Sequence, residues 1–202
     1  MFRSIFYAGI VLVALSLVGC ASTNLTSQWS EPGFGGAPLK KLMVVGVSSQ
    51  PGPRRIFEDG FVAALEAAGV QAVQSYTLIS ADGQADKSVL EQAVRDIGAD
   101  GVLITRLVKT QTETRVEPGG YYGGARGSGF YGWYGSAWGG VYEPPRVYQY
   151  DIVIAETSVY GLAADQLLWS GTTETFNPGD IEKETPGFAK IIIDALKNLG
   201  IV

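Results

Sequence analysis

The only cysteine of this 202-residue chain, Cys20, closes an apolar run and follows Leu17, Val18 and Gly19. A thiol is the strongest nucleophile available here, and the chemistry expected of it is covalent attachment of a lipid once the preceding residues are cut away. With no second cysteine there is no disulfide, and with no histidine there is no catalytic dyad. Lacking histidine, the chain also lacks the commonest general base and metal ligand, which argues against a zinc site or a Ser-His-Asp triad. Pro51-Gly52-Pro53-Arg54-Arg55 follows an apolar run and opens a helix, so Arg54 and Arg55 are candidate anion contacts beside helix-end N–H groups. The competing reading is a solvated first turn, because Pro53 removes a donor and the two arginines diverge around the helix. Glu58 and Asp59 are adjacent on that helix and do not converge on one substrate. Asp180, Glu182 and Glu184 alternate but lack the glycine turn of a calcium loop. Gly127-Ser128-Gly129 has neither the strand–helix context of a dinucleotide loop nor the glycine two residues before serine of a nucleophile elbow. No catalytic residue, no metal site and no cofactor beyond the covalent lipid on Cys20 is expected.

The residues before Cys20 form a processing signal. Arg3 supplies a positive start, Ile5 to Val18 an apolar stretch, and Gly19 a small residue before the cut. The stretch is short for a membrane span, which takes ~20 residues. Leu17-Val18-Gly19 also differs from the Ala-x-Ala of an ordinary secretory site. The pattern resembles the lipobox of bacterial lipoproteins, which implies a signal peptide over residues 1–19 and a lipid on Cys20. In that family an Asp after the cysteine tends to retain the protein in the inner membrane. Ala21 and Ser22 resemble the outer-membrane pattern instead, which implies a lipid-anchored, periplasm-facing protein of a Gram-negative outer membrane.

The rest of the chain has the length of one domain. Its formal charge of −5 becomes one unit more negative when Arg3 is lost, and no basic stripe exists to neutralise phosphates, so nucleic acid is not an expected partner. Residues 20–39 carry Ser, Thr, Gly and Pro without an apolar period and read as the lipidated cysteine and a flexible tether. Within a Gly/aromatic-rich loop over 117–145, Tyr121, Tyr122, Phe130, Tyr131, Trp133, Tyr134 and Trp138 are candidate contacts to a partner protein or an envelope glycan, with Arg126 the sole charge between 119 and 140. The plain alternative is a low-complexity insertion that binds nothing.

A scaffold for these groups is legible in the hydrophobic periods. Lys41 to Ser48 suits a strand buried on both faces. A helix follows, with Phe57, Phe61, Ala64, Leu65 and Ala68 on one face and Gly69 as cap. Val70 to Tyr76 is a second strand. A helix from Asp86 or Ser88 to Ile97 buries Leu90, Ala93, Val94 and Ile97, with Ser88 and Glu91 at capping-box spacing and Gly98 at its end. Gly101 to Arg115, Arg146 to Tyr160 and Gln166 to Phe176 are three further strands, and Thr185-Pro186 starts the last helix. The expected fold is α/β (α+β), in the order β-α-β-α-β-β-β-α. Its mixed five-stranded sheet has the order 2-1-3-4-5, with helices packed on it and the single domain spanning 40–202.

This element order resembles small α/β domains of the bacterial envelope: the TolB amino-terminal domain, the curli-secretion lipoprotein and lipoprotein activators of peptidoglycan synthases. The glycine/aromatic insert and the late strand Leu168-Trp169-Ser170-Gly171 resemble a group of bacterial lipoproteins, a likeness that implies no particular chemistry. The function expected is a non-enzymatic interaction or assembly module held on the membrane by lipid, with an envelope protein or peptidoglycan as partner. The alternatives are a homo-oligomeric structural or secretion-type subunit and a carboxylate-dependent envelope hydrolase.

Overall fold

Leu42, Val44 and Gly46 alternate with Met43 and Val45 along a strand that needs cover on both faces, and the fold supplies it. The structure, a computed structural model, describes residues 23–79, 85–122 and 141–202. Its elements are β1 (Thr23–Ser30), β2 (Lys41–Val47), α1 (Pro51–Ala67), β3 (Gln71–Gln74), α2 (Lys87–Ile97), β4 (Gly101–Glu117), β5 (Gly120–Tyr122), β6 (Val141–Glu143), β7 (Arg146–Gly161), β8 (Gln166–Phe176) and α3 (Ile181–Asn198). A six-stranded sheet runs β1-β8-β7-β4-β2-β3, and β5 and β6 form a two-stranded sheet. Leu42 and Val44 join the main core, where Phe61 and Leu65 of α1 meet Ile192 and Leu196 of α3. Met43 faces the other way, into a smaller cluster with Ile79 and with Ala93 of α2.

Two compact units make up the chain: one runs to Thr110 and resumes over Val153–Val202, and the other is Gln111–Ile152. In the first, β2 is parallel to both β3 and β4. Thr105 on β4 bonds Thr157 on β7, and Arg106 bonds Glu156, so that pair is antiparallel. Ser158 bonds Ser170 and Thr173 reaches the Ala155 carbonyl, so β8 is antiparallel to β7 and shares the direction of β2 and β4. In the second unit, Tyr121 of β5 lies opposite Tyr142 of β6. There Thr112 Oγ1 donates to Asp151 at 2.7 Å and the Tyr150 hydroxyl donates to Glu113 at 2.8 Å.

The five expected strands are neighbours in the order β3-β2-β4-β7-β8, but the sheet has a sixth. Residues 23–30, expected within the tether, form β1 and pair antiparallel with β8 from Thr23↔Thr175 to Ser30↔Trp169. An edge strand has one neighbour and needs few apolar residues. Leu25 packs on the core while Trp29 stays 45% exposed, so the Ser/Thr composition mimics a linker. The stretch after it is also fixed. Phe34 and Leu39 pack against the core, and Leu39 N–H donates to the Ile201 carbonyl at 2.8 Å. The Asp100 carboxylate then accepts from Lys40 and Lys41 N–H at 2.8 and 2.9 Å, setting the start of β2.

Other boundaries move for identifiable reasons. Helix α3 begins at Ile181, four residues before Thr185, because Asp180 caps it by accepting from Glu182 N–H at 3.1 Å. Pro186 is tolerated inside, and the Thr185 hydroxyl donates to the Ile181 carbonyl at 2.6 Å. In α2 the cap is Asp86 rather than Ser88, and Leu90, expected in the buried stripe, is exposed. Gly69 and Gly98 do end their helices, at φ 87° and 61°, where a Cβ would be strained. The loop expected over 117–145 contains β5 and β6 at its two ends.

Candidate functional site

On the α1/α3 side, the sheet face changes character toward the carboxyl ends of β2, β4 and β8. Where the helices sit, it presents Leu42, Leu103, Val159 and Trp169. Beyond them the same alternation presents Gly46, Thr105, Ala155 and Thr175, small residues that leave space open beside the helices. A cleft of about 610 Å³ results, walled by Phe57 of α1 and Phe188 of α3. Its size suits a small ligand, for which sites run ~300–1,000 Å³. Its location also fits one. The chain leaves β2 for β3 on one side and returns to β4 on the other, so the cleft lies at the carboxyl ends of strands where the sheet order reverses.

Most of the polar groups deep in the cleft are already occupied. Thr105 Oγ1 pairs with Thr157 Oγ1 at 2.9 Å, and Thr175 Oγ1 with Thr23 Oγ1 at 3.0 Å. Glu184 accepts from Gly179 N–H at 3.4 Å, closing the first turn of α3. Ser48 Oγ accepts from Gln50 N–H at 3.1 Å. Among the described residues no buried side-chain nitrogen or oxygen lacks a partner. What the cleft offers is mainly hydrocarbon.

Arg54, at the cleft's inner wall, is 7% exposed and Glu58 is fully buried. Glu58 Oε1 accepts from Arg54 Nε at 2.9 Å, from Gly46 N–H at 2.9 Å and from Ser75 Oγ at 2.8 Å, while Oε2 accepts from Tyr76 N–H at 2.9 Å. Arg54 Nη2 also donates to Ser75 Oγ at 2.8 Å. The solvated first turn expected for Arg54 is therefore corrected. Its charge is held by Glu58 one helical turn on, and the pair ties α1 to the end of β2 and to the residues after β3. Arg55 points elsewhere, with its guanidinium carbon 5.5 Å from the centre of the Tyr76 ring. The structure does not bring the two arginines together.

The Tyr76 hydroxyl donates to Asp59 Oδ1 at 2.8 Å, and this bond holds its phenol above the ordinary value of 10.0, with desolvation adding to it. The folded state keeps that proton to higher pH than the unfolded chain. Its contribution to stability is complete below pH 10.0 and is lost as pH rises through the raised value. Tyr150 is shifted the same way by Glu113. The expected result is that Tyr76→Phe flattens, without abolishing, the fall of the urea midpoint above pH 10.0. Matching alkaline slopes in both proteins would show that the Tyr76–Asp59 bond is not maintained.

The remaining expected site residues are placed as follows. Tyr121 and Tyr122 lie on the backbone of β5. Cys20, Phe130, Tyr131, Trp133, Tyr134 and Trp138 lie outside the described residues. Asp180 and Glu184 serve the start of α3, and no group of three metal-ligating side chains occurs among the described residues. No described helix is long and apolar enough to cross a membrane. Sequence reasoning marked the start of α1 as a candidate site, and Pro53 and Arg54 do line the cleft, but it missed the cleft's floor and apolar character. That floor comes from single small residues on four strands, which meet only after the register is known.

No known family profile matches the chain, and no curated protein is similar to it in sequence. Among solved structures it is similar to a PelC dodecamer from Paraburkholderia phytofirmans, at 16% identity over 85% of this chain and 95% of that one, with a TM-score of 0.45. It is also similar to lipoprotein GNA1162 from Neisseria meningitidis, at 14% identity over 79% of this chain and 96% of that one, with a TM-score of 0.40.

Proposed function

We propose that this protein is a lipid-anchored lipoprotein of the bacterial envelope, on the periplasmic side of the outer membrane, that works by binding rather than catalysis. The observation that carries the reading is the junction between anchor and fold. Only Ala21 and Ser22 separate Cys20 from Thr23, and Thr23 is already paired with Thr175 in the sheet. A lipid on Cys20 therefore holds the sheet itself at the bilayer, with almost no slack chain between. The binding reading is supported by the apolar cleft and by the absence of histidine from the whole chain. The partner is an envelope protein or peptidoglycan.

Cys20→Ser is expected to abolish incorporation of labelled palmitate and to release from the membrane whatever mature protein forms. Labelling is the decisive readout, because an uncleaved apolar run could still hold the variant at the membrane. Palmitate still incorporated into the Cys20→Ser variant would end the anchor reading. In-cell crosslinking of the wild type is expected to capture a different envelope component, and a ladder of homotypic products alone would replace this reading with a self-assembling subunit.

A further inference from the structure

The cleft and the anchor meet at the same end of the sheet. Strand β1 is antiparallel to β8, so its first residue lies where β8, β4 and β2 finish. The contact is direct, since the Thr23 hydroxyl lies 3.0 Å from that of Thr175, a residue of the cleft. Three peptide steps from Thr23 back to Cys20 span at most ~10 Å. Any acyl chain carried on Cys20 thus begins within its own length of the cleft mouth.

From this placement we infer that the cleft takes one acyl chain of the lipid on Cys20. The inference rests on the anchor reading above. The walls are apolar along the route such a chain would follow. Ile181 and Pro178 stand near the β8 end, Ala155 and Val153 lie on the floor, and Phe57 and Phe188 close the inner part. A sugar or a nucleotide would need unspent donors and acceptors. Here the Thr105 and Thr175 hydroxyls bond other threonines, Thr185 bonds the Ile181 carbonyl, Glu184 bonds the chain and Arg54 is neutralised by Glu58, which leaves few groups to hold a polar ligand. Hydrocarbon needs none of these. Moving an acyl chain from a bilayer to this cleft changes little, because both are apolar, whereas moving it from water to the cleft is strongly favoured. The cleft therefore matters most when the protein is out of the bilayer, where it shields one chain from water.

The test uses the full protein from cells fed a fatty acid that carries a photoactivatable diazirine near its terminal methyl, irradiated after it has been extracted from the membrane and freed of detergent. After irradiation the protein is digested and its crosslinked peptides are weighed. The expected product joins the Cys20 lipid peptide to peptides containing Phe57, Ala155 or Phe188. Leu107→Glu, at an exposed wall position, is expected to cut that product about tenfold, since the chain would have to lie against a carboxylate. Ala155→Trp, which fills the floor, is expected to do the same while leaving the label on Cys20 unchanged. Adducts of phospholipid mass on the cleft, without the Cys20 product, would assign the cleft to bilayer lipid and overturn the inference. A labelled Cys20 with no cleft adduct would overturn it too. Absence of label from Cys20 would instead remove the anchor reading itself.

Discussion

Glu58→Ala is expected to cost about 3–5 kcal/mol, the usual penalty for removing one partner of a buried ion pair. The loss follows from what stays behind. Arg54 keeps its charge at 7% exposure with Ser75 Oγ still accepting from it, and Gly46 and Tyr76 N–H lose their acceptor. Arg54→Met should be milder. The Glu58 carboxylate would still accept from Gly46, Ser75 and Tyr76, three donors that already surround it. Glu58→Gln should fall between, retaining an oxygen acceptor but not the charge. Urea midpoints of the three variants decide the matter. If Arg54→Met proves as costly as Glu58→Ala, the carboxylate is not the centre of this network.

Trp169→Ala is expected to cost a similarly large amount, about 3–5 kcal/mol, typical of deleting a buried aromatic ring. Trp169 is fully buried, and its indole lies over Gly171, where a Cβ would overlap ring carbons Cη2 and Cζ2. Its Nε1–H donates to Gln28 Oε1 on β1 at 3.2 Å. The ring thus joins the core to the edge strand. Hydrogen exchange of the β1 amides should accelerate in Trp169→Ala more than that of the β2 amides. Trp169→Phe keeps much of the apolar volume but not the N–H, and should lose less. Uniform acceleration across both strands would mean that the ring supports the core alone and has no particular hold on β1.

Much of the scaffold could be read from periodicity because the residues there obey one constraint at a time. The run from Leu42 to Val44 is covered on both faces, as its apolar residues require, and Gly69 and Gly98 had to end helices, since little else suits their backbone angles. Strand β1 escaped notice because pairing, not apolar content, makes it a strand: Thr26 Oγ1 even bonds the Thr172 carbonyl where the register slips between Leu25 and Ser27. The start of α3 was hidden by Pro186, a familiar marker of a first turn that here sits one turn later. Arg54 and Glu58 left a usable signal. They are four apart and continue the buried stripe of Phe61, Val62 and Leu65, so the stripe ran through charged residues that only a matched pair could occupy. The cleft's floor left none, because Gly46, Thr105, Ala155 and Thr175 are unremarkable singly and gain meaning only as neighbours across four strands.

Strand β1 also decides how the protein bears load. It runs from Thr23 to Ser30 alongside β8, with its hydrogen bonds lying across the strand direction. A pull on Cys20 along that direction strains the whole β1–β8 ladder at once, as in a lap joint. A pull across the sheet at the same point opens the pairs one after another, beginning at Thr23 and Thr175. The β1–β8 ladder therefore resists shear and yields to peeling, so the direction of tension, more than its size, determines whether the sheet edge holds.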